Sequence, residues 1–187
     1  MNVVALPKRR NAPETRARIL AAAQRVFAEL GYAQAGIREI AAMAGVTSPM
    51  LLRYFGSKAG LFEAALANAV RLDEVLVAPR EDFGRALCAI LSAPDSDITA
   101  LLMVNIPAMD KEAGPIAARI TEAQCIGPIS TYLGPPNARA RAVEIVMISS
   151  GLLTYLRQLQ IGETIAAERA HILDWFAGAV QAIVDRN

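Results

Sequence analysis

Nineteen residues, Ile37 to Phe55 (IREIAAMAGVTSPMLLRYF), restrict this chain more than any other stretch. Ile40, Ala44, Val46 and Leu51 are apolar at the positions where two short crossed helices must touch, and Ala41 is small where they come closest. Gly45 falls in the turn, where a positive φ is easiest for glycine. Thr47 or Ser48 is suited to cap the following helix, with Pro49 near its first position. Leu51 and Phe55, four residues apart, share its inner face. The segment reads as a helix-turn-helix.

With that inner face assigned, Thr47, Ser48, Pro49, Met50, Leu52, Arg53 and Tyr54 remain outside. The helix start offers backbone N–H groups and a positive dipole end to phosphate. Arg53 is long enough to reach guanine O6/N7 in a major groove, and Leu52 and Met50 suit a thymine methyl. Tyr54, Lys58 and Arg38 are placed for phosphates, which fix register without reading sequence. Packing of Tyr54 against the first helix is the alternative for that ring. Lys8, Arg9 and Arg10 lie in a flexible basic arm over residues 1–11, suited to follow the backbone or enter the minor groove, or to act only as a solubilising tail.

The charge distribution points the same way. Residues 1–58 carry nine Lys and Arg against three Asp and Glu, and the remainder carries ten against fifteen, so a net +1 conceals a basic leading third. A polyanion partner at one end only is expected. Cys88 and Cys125 lie among apolar helical residues and make neither a disulfide scaffold nor a metal cage. No metal and no cofactor is expected. The leading residues MNVVALPKRRN run in the reverse order of a signal peptide. The longest nearly apolar stretch, Ile98 to Met109, is too short for a bilayer and contains Asn105 and Pro107. A soluble cytoplasmic protein with no membrane contact is expected.

The apolar residues are mostly Ala, Leu and Ile, and no alternating pattern of useful length appears, so the chain is expected to be all-α with about nine helices. A first helix holds Ile19, Ala23, Val26, Phe27 and Leu30 at helical spacing and stops at Gly31. With the two helices of the motif it makes an N-terminal three-helix domain over 12–57. A connecting helix is predicted over 58–78, with Ser57 as its cap and Pro79 marking the joint. A C-terminal helical bundle over 79–187 follows, with helices near 80–92, 96–106, 111–132, 137–160 and 164–185. Gly127-Pro128 is a candidate kink in the third of these.

Several stretches together resemble the N-terminal domain of TetR-family regulators: Thr15-Arg-Ala-Arg-Ile-Leu, Phe27-Ala-Glu-Leu-Gly-Tyr32, Ile37-Arg-Glu-Ile-Ala41, Ala44-Gly-Val46 and Tyr54-Phe-Gly-Ser-Lys58. The resemblance runs from Thr15 to Leu66. It implies a third helix in the major groove, palindromic operators bound by a dimer, and DNA roles for Thr47, Ser48, Leu52, Arg53, Tyr54 and Lys58. Two departures stand out: Leu52 where the family often has tyrosine, and Ala35-Gly36 in place of small hydroxyl residues. The stretch from Gly127 to Arg157 loosely resembles one subgroup of the family's C-terminal domains.

For the second domain, two long final helices are candidates for dimerisation. Val143, Val146, Met147, Ser150, Gly151, Thr154 and Tyr155 share one face, and Ile172, Trp175, Phe176, Ala179, Val180 and Ile183 another. Small residues (Ser150, Gly151, Ala177, Gly178) permit close approach, and pairing of two copies would give a four-helix interface. Candidate walls for a small apolar ligand are Phe62, Leu66, Phe83, Leu87, Met103, Ile106, Met109, Cys125, Met147 and Tyr155, with Gln124, Asn105 and Thr121 as polar anchors. The resemblance implies a population shift: ligand favours a form whose recognition helices are wrongly spaced, releasing DNA. The expected function is therefore a ligand-released transcriptional repressor. A helical enzyme is disfavoured, since His171 is the sole histidine and no H-E-x-x-H, Walker-A, G-x-S-x-G or G-x-G-x-x-G motif occurs. A protein-interaction module keeping the motif as scaffold is the other alternative.

Overall fold

The computed structural model describes residues 12–70, 72–93, 103, 110–159 and 166–186, and among these there is no strand. The fold is all-α. Four helices make the N-terminal part: α1 (Ala12–Gln34), α2 (Ile37–Met43), α3 (Ser48–Phe55) and α4 (Lys58–Ala69). A short α5 (Asp73–Leu76) and a 3-10 turn (Arg80–Asp82) lead into α6 (Phe83–Ser92). Then follow α7 (Ala113–Thr121), α8 (Gly127–Leu133), α9 (Ala138–Leu153) and α10 (Arg169–Asp185). The basic arm over 1–11 and all but Met103 of the helix expected near 96–106 lie outside the described residues.

Local chemistry accounts for most boundaries. Thr47 Oγ1 accepts from Met50 N at 3.4 Å and Ser57 Oγ accepts from Gly60 N at 3.0 Å, capping α3 and α4. Gly31 breaks α1 with φ 73°, but helix resumes beyond it to Gln34. This last turn carries Tyr32 inward, where it meets Phe27 and Phe62 with ring centroids 5.9 and 5.2 Å away.

One expectation about helix continuity needs correction, and another takes a particular form. The connecting helix does not run to residue 78: α4 ends at Ala69, Val70 is extended, and α5 is a separate turn. No proline or glycine marks this stop locally. The candidate kink at Gly127-Pro128 is a π turn over Glu122–Ile126 that joins α7 to α8. Pro128 has no N–H to give and its ring crowds the preceding turn, so the helix widens just before it. A second π turn, Thr154–Gln158, ends α9, with Leu159 N bonded to the Thr154 carbonyl at 3.0 Å.

Packing divides the molecule differently from the linear order. One core joins Ile19, Phe27, Ile40, Leu51, Phe62 and Leu66 of α1–α4 to Met103 and to Ile116 and Ile120 of α7. The other gathers Phe83 and Leu87 of α6 with Ile129, Leu133, Ile145, Leu153, Phe176, Val180 and Val184. Thus α7 seats on α4, whereas α6 pairs most extensively with α10. They approach closely at Gly84, where a Cβ would lie 2.2 Å from the Ala177 carbonyl oxygen.

Candidate nucleic-acid interface

The helix-turn-helix closes through backbone bonds. Ala44 N reaches the Ile40 carbonyl at 2.9 Å, Val46 N the Ala41 carbonyl at 2.9 Å, and Gly45 turns the chain at φ 64°. Leu51 is fully buried and Ile40 and Ala41 lie beneath it in the first core, so α3 presents its other side outward. On that side Thr47, Pro49, Leu52 and Arg53 are exposed, and Ser48 and Met50 are half-buried. Leu52 is a large apolar side chain at the surface, 38% exposed. Arg38 is exposed in the first turn of α2.

Besides Thr47, whose hydroxyl caps α3, two of the sequence-predicted residues have partners within the chain. Tyr54 is half-buried against the first core, its ring 6.2 Å from that of Phe55. Lys58 donates from Nζ to the Ala33 carbonyl at 3.2 Å and lies 4.7 Å from the Tyr32 ring centre. It therefore sits at the joint between α1 and α4, with one side of its ammonium already engaged.

Two cations went unassigned on sequence grounds. The Arg16 guanidinium lies 5.5 Å from the Phe55 ring centre, and Arg18 Nη1 lies beside the turn glycine, 3.9 Å from where a Cβ on Gly45 would stand. Both arginines stand in the first stretch of the family resemblance, so their motif membership was the available signal.

The other candidates sort by burial. Phe62, Leu66 and Met103 belong to the first core, and Phe83 and Leu87 to the second. Met147 and Tyr155, at 66% and 56% exposed, project from α9 and its π turn. Ile106 and Met109 lie outside the described residues. Gln124 and Cys125 are half-buried in the first π turn, where burial pushes the Cys125 thiol up to about 11. On the candidate dimer face, Phe176 and Val180 are fully buried in the chain's own core. Val143, Ser150, Thr154 and Ala179 are half-buried, whereas Gly151 and Trp175 are exposed. Among the described residues, no helix is long and apolar enough to cross a membrane.

A capped, outward-facing α3 crossing α2 over a glycine turn, on an all-α body, defines a helix-turn-helix DNA-binding protein. Residues 19–65 match the model for bacterial regulatory proteins of the tetR family, and residues 81–184 match the tetracyclin repressor-like C-terminal domain. The chain belongs to the TetR family, whose members are transcription regulators and not enzymes.

Among relatives, the HTH-type transcriptional activator FasR of Mycolicibacterium smegmatis is 46% identical over 57 residues, 30% of this chain and 26% of that protein. The HTH-type transcriptional regulator BetI of Stenotrophomonas maltophilia is 35% identical over 80 residues, 42% of this chain and 41% of that one. The matching stretch thus spans less than half of either relative. A TetR-family structure from Rhodococcus sp. shares the fold with a TM-score of 0.72 at 24% identity, covering 92% of this chain and all of that one. A TetR-family regulator from Streptomyces coelicolor A3 is 25% identical, with a TM-score of 0.59 over 96% of this chain and 99% of that one.

Proposed function

We propose that the protein is a homodimeric regulator that reads a palindromic operator in cytoplasmic DNA and is released from it by a small, largely apolar ligand. The exposed edge of α3 carries the reading: Thr47, Pro49, Leu52 and Arg53 stand outside while Leu51 anchors the helix in the core. Ser48 and the α3 start face phosphate, Arg53 takes a guanine, and Leu52 takes a thymine methyl. Arg38, Tyr54 and Lys58 hold the backbone. Lys58 does so with the N–H groups left after its bond to Ala33.

Dimerisation is supported by the exposed apolar side chains Met147, Tyr155 and Trp175, flanked by Gly151 and Ala179, on the two final helices. Ligand release is supported by two buried hydroxyls without hydrogen-bond partners, Thr121 Oγ1 and Ser149 Oγ. Of their helices, α7 runs into the π turn that holds Gln124 and Cys125, and α9 packs against that turn. An orphaned buried hydroxyl is costly unless something fills the need, and a ligand carrying one or two polar groups would do so. The FasR relative is named an activator, which favours a second reading of the sign of regulation with the same DNA contacts.

The deciding experiment is footprinting and mobility shift on the protein's own upstream DNA, with Arg53→Ala compared at fixed salt. Loss of a bidentate guanine contact is expected to weaken binding about five- to hundredfold and to relax the sequence preference at one position per half-site. Equal binding by the variant would remove Arg53 as a reader. Absence of salt dependence would favour the protein-interaction alternative, because phosphate contacts release counterions.

A further inference from the structure

Three elements meet at Tyr32. The break at Gly31 turns its ring inward, where it is only 6% exposed and held by Phe27 and Phe62. Its hydroxyl donates to Glu112 Oε2 at 2.5 Å, a bond between residues 80 apart in the chain. Glu112 sits immediately before α7, whose start is fastened by Asp110 Oδ1 accepting from Glu112 N and Ala113 N, each at 2.9 Å. Lys58, the first residue of α4, rests over the same tyrosine ring. Since α4 begins just beyond α3, what holds the α1–α4 joint also holds the helix that meets DNA.

The contacts of α7 itself with α4 are of two kinds. Ile116 and Ile120 pack apolar side chains, whose burial is non-directional. Arg119 pairs with Glu63 at 2.7 Å, but both side chains are largely solvated, so this pair restrains little. The hydrogen bond from the buried phenol to the exposed Glu112 carboxylate is directional, with its donor out of water.

We infer that Tyr32 and Glu112 are positioning residues for DNA reading: their hydrogen bond ties α7 to the α1–α4 joint and sets the attitude of α3 toward the operator. The inference rests on α3 as the DNA-reading helix, and it makes α7 the route by which the C-terminal part acts on that helix.

The test uses the full-length protein and a duplex selected by it from a random library. Tyr32→Phe and Glu112→Ala are each expected to weaken operator binding about tenfold, and the double variant to bind no more weakly than either. Glu112→Gln, which keeps an acceptor for the phenol, is expected to stay within twofold of the parent. Circular dichroism should show all four variants folded. Amide hydrogen exchange without DNA should quicken in residues 113–116 and 48–55 together in Tyr32→Phe, a pairing that general loosening of the fold would not select. Additive effects in the double variant, or single variants within twofold of the parent, would overturn the inference. So would exchange that quickens in only one of the two segments. If the parent selects no duplex, the DNA reading of α3 fails, and the exchange pattern still decides whether α7 and α3 are tied.

Discussion

At Gly60 the backbone leaves no space for a side chain, because a Cβ there would lie 2.3 Å from the Phe55 carbonyl oxygen. The neighbour is main chain at the end of α3 and has no rotamer by which to retreat, so α4 would have to shift away. Gly60→Ala is expected to lower stability by about 3 kcal/mol, the upper range for overpacking, measured as a reduced urea midpoint at unchanged slope. A midpoint within error of the parent would show that α3 and α4 separate freely. Cys125 gives a second residue-scale prediction. With its thiol raised by burial to about 11, it stays protonated at pH 8, and the thiolate is the form that reacts. Alkylation by iodoacetamide at pH 8 should be about a hundredfold slower than for an unperturbed cysteine, and unfolding in urea should restore the ordinary rate. Equal rates in folded and unfolded protein would place the thiol in solvent.

Between elements, the principal polar device is the pair of arginines that closes two helix ends. Arg141 is 3% exposed, and its Nη2 donates to the Gly134 carbonyl at 2.6 Å while Nη1 donates to the Arg186 carbonyl at 2.6 Å and the Val184 carbonyl at 3.3 Å. Arg80 Nη2 donates to the same Val184 carbonyl at 2.7 Å. Here α8 and α10 end side by side, so their unbonded carbonyls and negative dipole ends accumulate, and two guanidiniums satisfy them. Arg141→Leu strips several carbonyls of donors at once and is expected to cost about 3 kcal/mol in urea unfolding. Arg141→Lys should recover little, because one ammonium cannot fork to both helix ends. Full rescue by lysine would mean that charge alone suffices there. In the sequence Arg139 and Arg141 alternate with alanines near a helix start, and nothing local distinguishes them. Only the arrival of α10 alongside α8 turns one of them inward.

For the whole molecule, the two-core division decides what each half can do. The N-terminal core reaches into α7 and the C-terminal core is built around α6, α9 and α10, so the two cores alternate along the chain. Trp175 stands outside both cores at 59% exposure. Trp175→Arg should therefore leave helicity and melting of the chain intact while converting a dimer to a monomer in sedimentation and weakening operator binding. A variant that stays dimeric would move the interface off this face. Phe176, its neighbour, belongs to the inner core, and a substitution there is expected to unfold the chain rather than split a dimer.

The helices, most of their caps, the helix-turn-helix and its outward residues were legible from spacing alone, because each depends on neighbours within one or two turns. Gly45, Leu51, Thr47 and Arg53 needed no distant partner to be placed. The stop of α4 at Ala69, the separation of Phe62 and Leu66 from Phe83 and Leu87, and the opposite fates of Trp175 and Phe176 had no such local cause. A helical repeat marks an apolar stripe without saying which neighbour covers it. The partner of Tyr32 is 80 residues away, and the carbonyls that hold Arg141 come from helix ends that meet only once the chain has closed on itself.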